Sequence, residues 1–392
     1  MKRFGSILIF LTLASPAWAA NKITVQQLKD LLVSLQQAKK TDAEVAVELK
    51  RIELSEELTK STMDGLASLV PGPITTQQVY VLEADSAVLA PPASDLPSTP
   101  TPDVAAQNAL LTKAIAYATN AYAQLPALTA TKTTYRFQNR IHAPIATNQG
   151  KLTDEVWTDP RLANGSQFIY YVGATETPVE SMNGAEIPSK VKDKSQWGAN
   201  GQIAVPWPGP VLGAIVQEAQ AAGKLKWLRW ETVNDRQTAV FSFAVDKKRS
   251  HYTVNYCCFP DTDQAGATGN RGIGGIASTS TGSMHTYTNW SPYKATVPYH
   301  GEIFIDFGTG IVVRLVTQAE FKTTDKVNQE DQRIDYGPVT VAGKSLVVPV
   351  RTYIDTEVAA EGDNTSGRYS TRRTLFTVEY KDYRLPGATT QK

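Results

Sequence analysis

The sequence predicts an α+β fold: a helical N-terminal region followed by a curved antiparallel β-sheet with covering helices. Apolar residues recur at helical spacing through the first third of the chain, and after about residue 130 the texture changes to β-branched and aromatic runs bounded by turn residues. The later runs are joined by short turns such as Phe307-Gly308-Thr309-Gly310 and Ala342-Gly343-Lys344. Such turns connect antiparallel strands and leave no room for the crossover that a parallel pair needs.

The first element is an export signal. Lys2 and Arg3 form a positive start, Phe4 to Ala14 a short apolar run, and Ala17-Trp18-Ala19 place small residues at a peptidase site, so cleavage is expected before Ala20. A membrane-spanning helix needs roughly 20 apolar residues, about twice this run. With no cysteine directly following the cleavage site and no later apolar stretch of spanning length, the mature chain is expected to be soluble, periplasmic or secreted, with no transmembrane segment. Loss of Lys2 and Arg3 leaves 37 basic against 38 acidic residues, a net charge of −1. That balance gives no electrostatic case for nucleic acid or an anionic membrane as partner.

Residues 20–89 read as a helical N-terminal domain. Val25, Leu28, Leu31, Leu32 and Leu35 predict a helix over about 24–39, and Thr41 with Glu44 a capping box opening a second that carries Val45 and Leu49. Leu54, Leu58, Leu66 and Leu69 extend the pattern into one or two short helices, which Pro71-Gly72-Pro73 stops; another helix is expected over 75–89. Residues 90–103 (APPASDLPSTPTPD) form a Pro-rich linker that cannot propagate a helix. Residues 104–392 then form an α+β domain. It opens with an Ala-rich helix to about 124, holds a second helix over 209–222 ending at Gly223, and is otherwise dominated by strands, whose partial alternation suits a curved sheet with one buried face. Segments 260–298 and 357–371 interrupt the strands, and 265–283 is expected to be a mobile loop.

The sharpest chemical feature is Cys257-Cys258, the only two cysteines, on the run HYTVNYCCF. In an oxidising compartment they are candidates for a redox-active or structural clasp. A vicinal disulfide would have to kink the strand, because neighbouring side chains in a regular strand point to opposite faces. Two unlinked buried thiols, metal binding and intermolecular pairing stay open beside it. His251 with Cys257, and His300 with Glu302, share strand faces, yet no CxxC, HxH or HExxH is present, and no metal site or cofactor is expected. There is no G-x-S-x-G elbow, and Gly272 to Ala277 fits G-x-G-x-x-A only formally because a Ser/Thr-rich tract follows it. No catalytic residues are assigned. Aromatics gather in the second domain, and Trp227, Trp230, Tyr252, Tyr256 and Tyr299, with His300, are the candidate ligand-binding residues; ordinary core packing is the competing explanation.

The run Tyr299-His300-Gly301-Glu302-Ile303, Asp306 with Thr309-Gly310, Ile311 to Leu315, Ile334-Asp335-Tyr336-Gly337-Pro338-Val339, Val341 to Lys344 and Val348-Pro349-Val350 resembles the C-terminal strands of outer-membrane lipoprotein carriers of the LolA/RseB-like superfamily. The whole chain also resembles a family of exported bacterial proteins with a helical N-terminal segment and the Cys-Cys strand. The carrier resemblance covers the last third to half of the chain. It implies a curved half-barrel with helices over its concave face and a cavity for acyl chains or a protein partner, without catalysis. The N-terminal extension, the 260–298 loop and the cysteine pair depart from that pattern. The expected function is therefore a non-enzymatic exported binding protein holding a lipid or other apolar ligand, or an envelope protein, on the sheet. The alternatives are an extracytoplasmic enzyme, hydrolytic or thiol-based, and an envelope interaction module acting through the N-terminal helices.

Overall fold

In the computed structural model, residues 21–139, 143–146, 152–155, 169–187, 209–260, 290–322, 325–358 and 372–387 are described. Strand β1 (Asn21–Ile23) leads into α1 (Val25–Gln37), whose start is set by a capping box: the Thr24 hydroxyl accepts the Gln27 amide, and the Gln27 side chain accepts the Thr24 amide. The same device at Thr41 and Glu44 opens α2 (Asp42–Leu49). Leu54 lies in a strand, β2 (Ile52–Leu54), which pairs in parallel with β1, while Leu66 falls in α3 (Lys60–Leu66) and Leu69 in a 3₁₀ turn. Three residues with two apolar side chains facing inward suit either period, and the β1 edge decides. Helix α4 (Pro73–Ser86) begins on Pro73, whose missing amide hydrogen costs nothing in a first turn. Leu28, Leu32, Leu49, Leu58, Leu66 and Leu82 form the core of this layer.

After the Pro-rich segment, Asp103 caps α5 (Val104–Ala116) by accepting the Ala106 amide at 2.8 Å. The helical path continues to Gln124 as a π turn (Tyr117–Ala121) and a 3₁₀ turn. The strands follow: β3 (Leu128–Gln138), the separate small pair β4 (Ala143–Ala146) and β5 (Leu152–Glu155), β6 (Tyr170–Met182) and β7 (Ala185–Ile187). Helix α6 (Gly209–Ala222) precedes β8 (Lys226–Val233), β9 (Arg236–Val245), β10 (Thr253–Pro260) and β11 (Trp290–Thr296). The chain closes with β12 (Tyr299–Asp306), β13 (Val312–Ala319), β14 (Val327–Val341), β15 (Lys344–Val358) and β16 (Arg372–Arg384).

Ten of these strands make one antiparallel sheet in the order β7-β6-β3-β16-β15-β14-β13-β12-β9-β8, open at β7 and β8. The α+β class, with helices first and an antiparallel sheet after, is what the sequence predicts. Because β9 pairs directly with β12, the β10–β11 hairpin is an arm inserted between two sheet neighbours. The loops expected at 265–283 and over most of 357–371 lie outside the described residues.

The sheet corrects one expectation: its centre is buried on both faces. Glu330 through Gly337 are consecutively buried, which a strand with one wet face cannot be. On one face, α5 and α6 pack Leu110, Ala114, Leu212 and Val216 against Phe241, Ile303 and Ile334. On the other, α4 places Val81, Ala84 and Ala87 against Phe137, Tyr353 and Leu375. The N-terminal helices therefore act as a second covering layer.

Candidate functional site

The aromatic residues singled out in the sequence meet on the face covered by α5 and α6. Trp227 sits edge-on to Trp230 (centroids 4.9 Å apart) and to Phe241 (5.5 Å). Trp230 is buried, and its indole N–H donates to the Pro100 carbonyl at 2.7 Å, tying the Pro-rich segment to β8. Tyr252, at the base of the arm, stacks on Tyr299 (5.1 Å). The Tyr299 hydroxyl donates to Glu218 on α6 at 2.8 Å, and the other Glu218 oxygen lies 2.8 Å from His251 Nδ1. Burial pushes both phenols above the usual tyrosine range, with Glu218 reinforcing the shift at Tyr299 and Glu330 at Tyr252. Tyr256 is buried within the arm's own cluster, with Val254, Val327 and Val358. His300 points outward and pairs with Glu320 at 3.1 Å, apart from the aromatic group. Glu302 is held by Arg229 at 2.8 Å. Among the described residues no cluster of three or more His, Cys, Asp or Glu is placed to hold a metal ion. Cys257 and Cys258 lie in β10, where the backbone alone is described.

Sequence reasoning missed the place where this apolar face opens. The β13–β14 ladder runs from Gln318↔Asp331 to Arg314↔Asp335 and stops. Beyond it β13 continues toward Val312 paired only with β12, while β14 continues to Val341 paired only with β15. The sheet thus splits along a seam. Within the seam is an apolar niche of about 30 Å³ lined chiefly by Val233, Ile311, Val313, Tyr336, Pro338 and Val347. Tyr336 is fully buried, meets Tyr122 edge-on at 5.7 Å, and its hydroxyl has no hydrogen-bond partner among the described residues. Burial holds that phenol far above its ordinary range, so it stays a neutral donor. One sequence signal was available. A proline at 338 inside a strand marks an unpaired edge, because it has no amide hydrogen for a ladder.

The opposite face is ionic. Glu57, from the irregular stretch after β2, receives Arg333 at 2.5 Å and Arg314 at 3.5 Å. Asp335 lies between the same two guanidiniums, at 2.9 Å and 2.6 Å. Burial alone would raise the Asp335 carboxyl, and the two arginines overcome that and hold it below the usual carboxylate range. Glu83 of α4 takes Arg351 and the Tyr353 hydroxyl, and Asp85 takes Arg373. Glu83, Asp85 and Glu231 are all shifted upward by burial, only partly offset by their arginines. The N-terminal helices are therefore fastened to the sheet by ion pairs beside apolar contacts. Buried pairs of this kind specify a fit more than they add stability.

No protein-family model and no curated protein matches the chain. Among solved structures it is similar to a DUF1329 family protein from Desulfovibrio piger, at 8% identity over 72% of this chain and 94% of that one, with a TM-score of 0.24. A LolA superfamily protein from Nitrosomonas europaea matches at 10% identity over 72% and 94%, with a TM-score of 0.21. The Pseudomonas aeruginosa MucA/MucB complex matches at 8% identity over 73% and 100%, with a TM-score of 0.18. Likeness this distant carries no inference about ligand or partner, and the reading of function rests on the chain's own residues.

Proposed function

We propose that the protein is an exported, non-enzymatic binding protein that takes an apolar or amphiphilic ligand, such as a lipid acyl chain, into the apolar niche at the β13–β14 seam. The supporting observation is the seam itself: an apolar niche where ladder bonds end, bordered by a buried phenol whose hydroxyl has no partner among the described residues. A mostly apolar pocket with one oriented polar group is the usual make-up of a small-molecule site. The niche as it stands holds about one methylene, so a ligand enters by spreading the seam. Because no ladder bond joins the strands there, spreading breaks packing contacts alone. A peptide strand added to the β14 edge is the less suited occupant, since Pro338 offers no donor and proline blunts edges against added strands.

The test is titration of the purified mature protein with a fluorescent long-chain fatty acid, alongside native mass spectrometry for co-purified lipid. Saturable binding with one molecule per chain is expected. Tyr336→Phe should weaken it about tenfold, the worth of one hydrogen bond to a charged head group. Absence of saturable binding together with a lipid-free native mass would overturn the proposal.

A further inference from the structure

We propose that Cys257 and Cys258 form a vicinal disulfide that opens and closes by thiol–disulfide exchange, making the β10–β11 arm a redox-responsive element. The β10–β11 ladder runs in step from Thr253↔Thr296 to Tyr256↔Tyr293 and resumes at Phe259↔Ser291. Three residue steps on β10 thus match two on β11, and Cys257 and Cys258 together stand opposite Pro292. This is a β-bulge, in which two residues of one strand oppose one of the other and regular alternation is suspended. In a regular strand, neighbouring side chains leave on opposite faces, which is what keeps adjacent cysteines from closing a ring. The backbone departs from the regular strand at the single position in the chain where two cysteines adjoin, so the obstacle that a regular strand sets does not apply there. It also has a cause of its own in the sequence. Pro292 has no amide hydrogen to complete the pair across the arm.

The exchange needs a disulfide oxidant, and oxidised glutathione is one of that class. One protein thiolate attacks a glutathione sulfur and expels the first glutathione thiolate. The neighbouring thiolate then attacks the protein sulfur of the mixed disulfide and expels the second. Two protein thiols become one S–S bond, and the two protons and two electrons leave in two molecules of reduced glutathione. A ring between neighbours is tighter than ordinary disulfide geometry, because adjacent Cα atoms are about 3.8 Å apart where bridged pairs are usually 4.4–6.8 Å apart. It therefore belongs to the labile class that glutathione can reopen.

The arm is built to respond. Its proximal half is fixed to the rest of the protein, with Val254 and Tyr256 buried against Val297, Val327 and Val358, and with the Tyr252 hydroxyl on Glu330. Beyond the bulge, among the described residues, the pairs Phe259↔Ser291 and Pro260↔Trp290 follow. A clasp at 257–258 thus sets the register of the distal arm relative to a fixed base. This inference depends on the arm alone and stands or falls separately from ligand binding.

The experiment uses the purified mature chain after incubation with oxidised glutathione. It is denatured without reductant in the presence of N-ethylmaleimide, and labels are counted by intact mass. No label before dithiothreitol, two labels after it, and a monomer on a non-reducing gel are expected, with millimolar reduced glutathione also releasing both thiols. Two labels without reductant, a persistent glutathione adduct or a disulfide-linked dimer would each overturn the disulfide. Amide exchange in the arm should quicken about tenfold on reduction in the wild type and stay unchanged by reductant in a Cys257→Ser/Cys258→Ser double variant. A disulfide that forms without altering exchange in the arm would overturn the responsive role.

Discussion

Glu330 offers the most direct test of the structure's electrostatics. It lies on β14 in the interior, with Oε1 accepting the Tyr252 hydroxyl at 3.3 Å and Oε2 buried without a hydrogen-bond partner among the described residues. Burial raises its carboxyl from an ordinary 4.5 to about 7; the Tyr252 hydrogen bond resists the rise and the neighbouring Asp331 charge adds to it. A carboxyl raised on folding is bound more tightly to its proton in the native state. Its contribution is therefore fully present below about 4.5 and lost as pH climbs through about 7. At 1.36 kcal/mol per pH unit, the shift makes the native state about 2–3 kcal/mol less stable at pH 8 than at pH 5 through this one group. Glu330→Gln removes the ionisation and keeps a carbonyl for Tyr252. Urea unfolding of both proteins at pH 5 and pH 8 is the assay. The variant should gain about 2–3 kcal/mol relative to wild type on going from pH 5 to pH 8. If wild type and variant lose stability in parallel over that range, the carboxyl is not buried as described.

Two further predictions concern strand packing and the buried ion pairs. A Cβ on Gly301 would overlap the backbone carbonyl of Val316 on the neighbouring strand and touch the Phe243 ring, so Gly301→Ala should destabilise by about 2 kcal/mol or more, read by chemical denaturation. Arg314→Met leaves Glu57, Glu231 and Asp335 without one of their cations and should cost about 3–5 kcal/mol. The same variant should quicken amide exchange at Leu315 to Thr317 more than in β16, because Arg314↔Asp335 is the last rung of its ladder.

Much of the fold was legible because it is local. Thr24 and Thr41 each carry their capping partner three residues on, and Ala342-Gly343 both adopt the positive φ of a two-residue hairpin turn that the short gap between β14 and β15 demands. What was not legible is set by distance along the chain. Glu57 meets Arg333 across 276 residues, and Glu83 meets Arg351 across 268, and nothing near either acid announces its partner. The same distance hides the second covering layer, so a strand alternating Glu330, Gln332 and Ile334 with Asp331, Arg333 and Asp335 reads as half-wet when both of its faces are dry. Of the candidate site, Trp227, Trp230, Tyr252 and Tyr299 were singled out by composition, and the structure places them together in aromatic contacts on one covered face of the sheet. Tyr336 and Glu330 were not, because the feature that distinguishes them is an unsatisfied buried oxygen, a property of the packed interior.

The two faces of the sheet are also unequal in a way that bears on ligand entry. On the α5–α6 face the seam is closed by apolar contacts, which give way in small increments and re-form around a guest of similar polarity. On the N-terminal face the same strands are held by ion pairs as well as by an apolar cluster of Val233, Phe304, Val313 and Val316 with Val88, and a guanidinium drawn away from its carboxylates leaves buried charges uncompensated. Arg314 stands where the two regimes meet. Its backbone forms the last pair of the β13–β14 ladder, and its side chain bonds Asp335 directly across that pair at 2.6 Å while reaching Glu57 beneath. A guest prising the seam from the apolar side works against packing alone until it reaches this residue, and then against a buried ion pair. On the proposed reading, the opening would be confined to Ile311–Val313 against Tyr336–Val341, with the N-terminal helices staying seated.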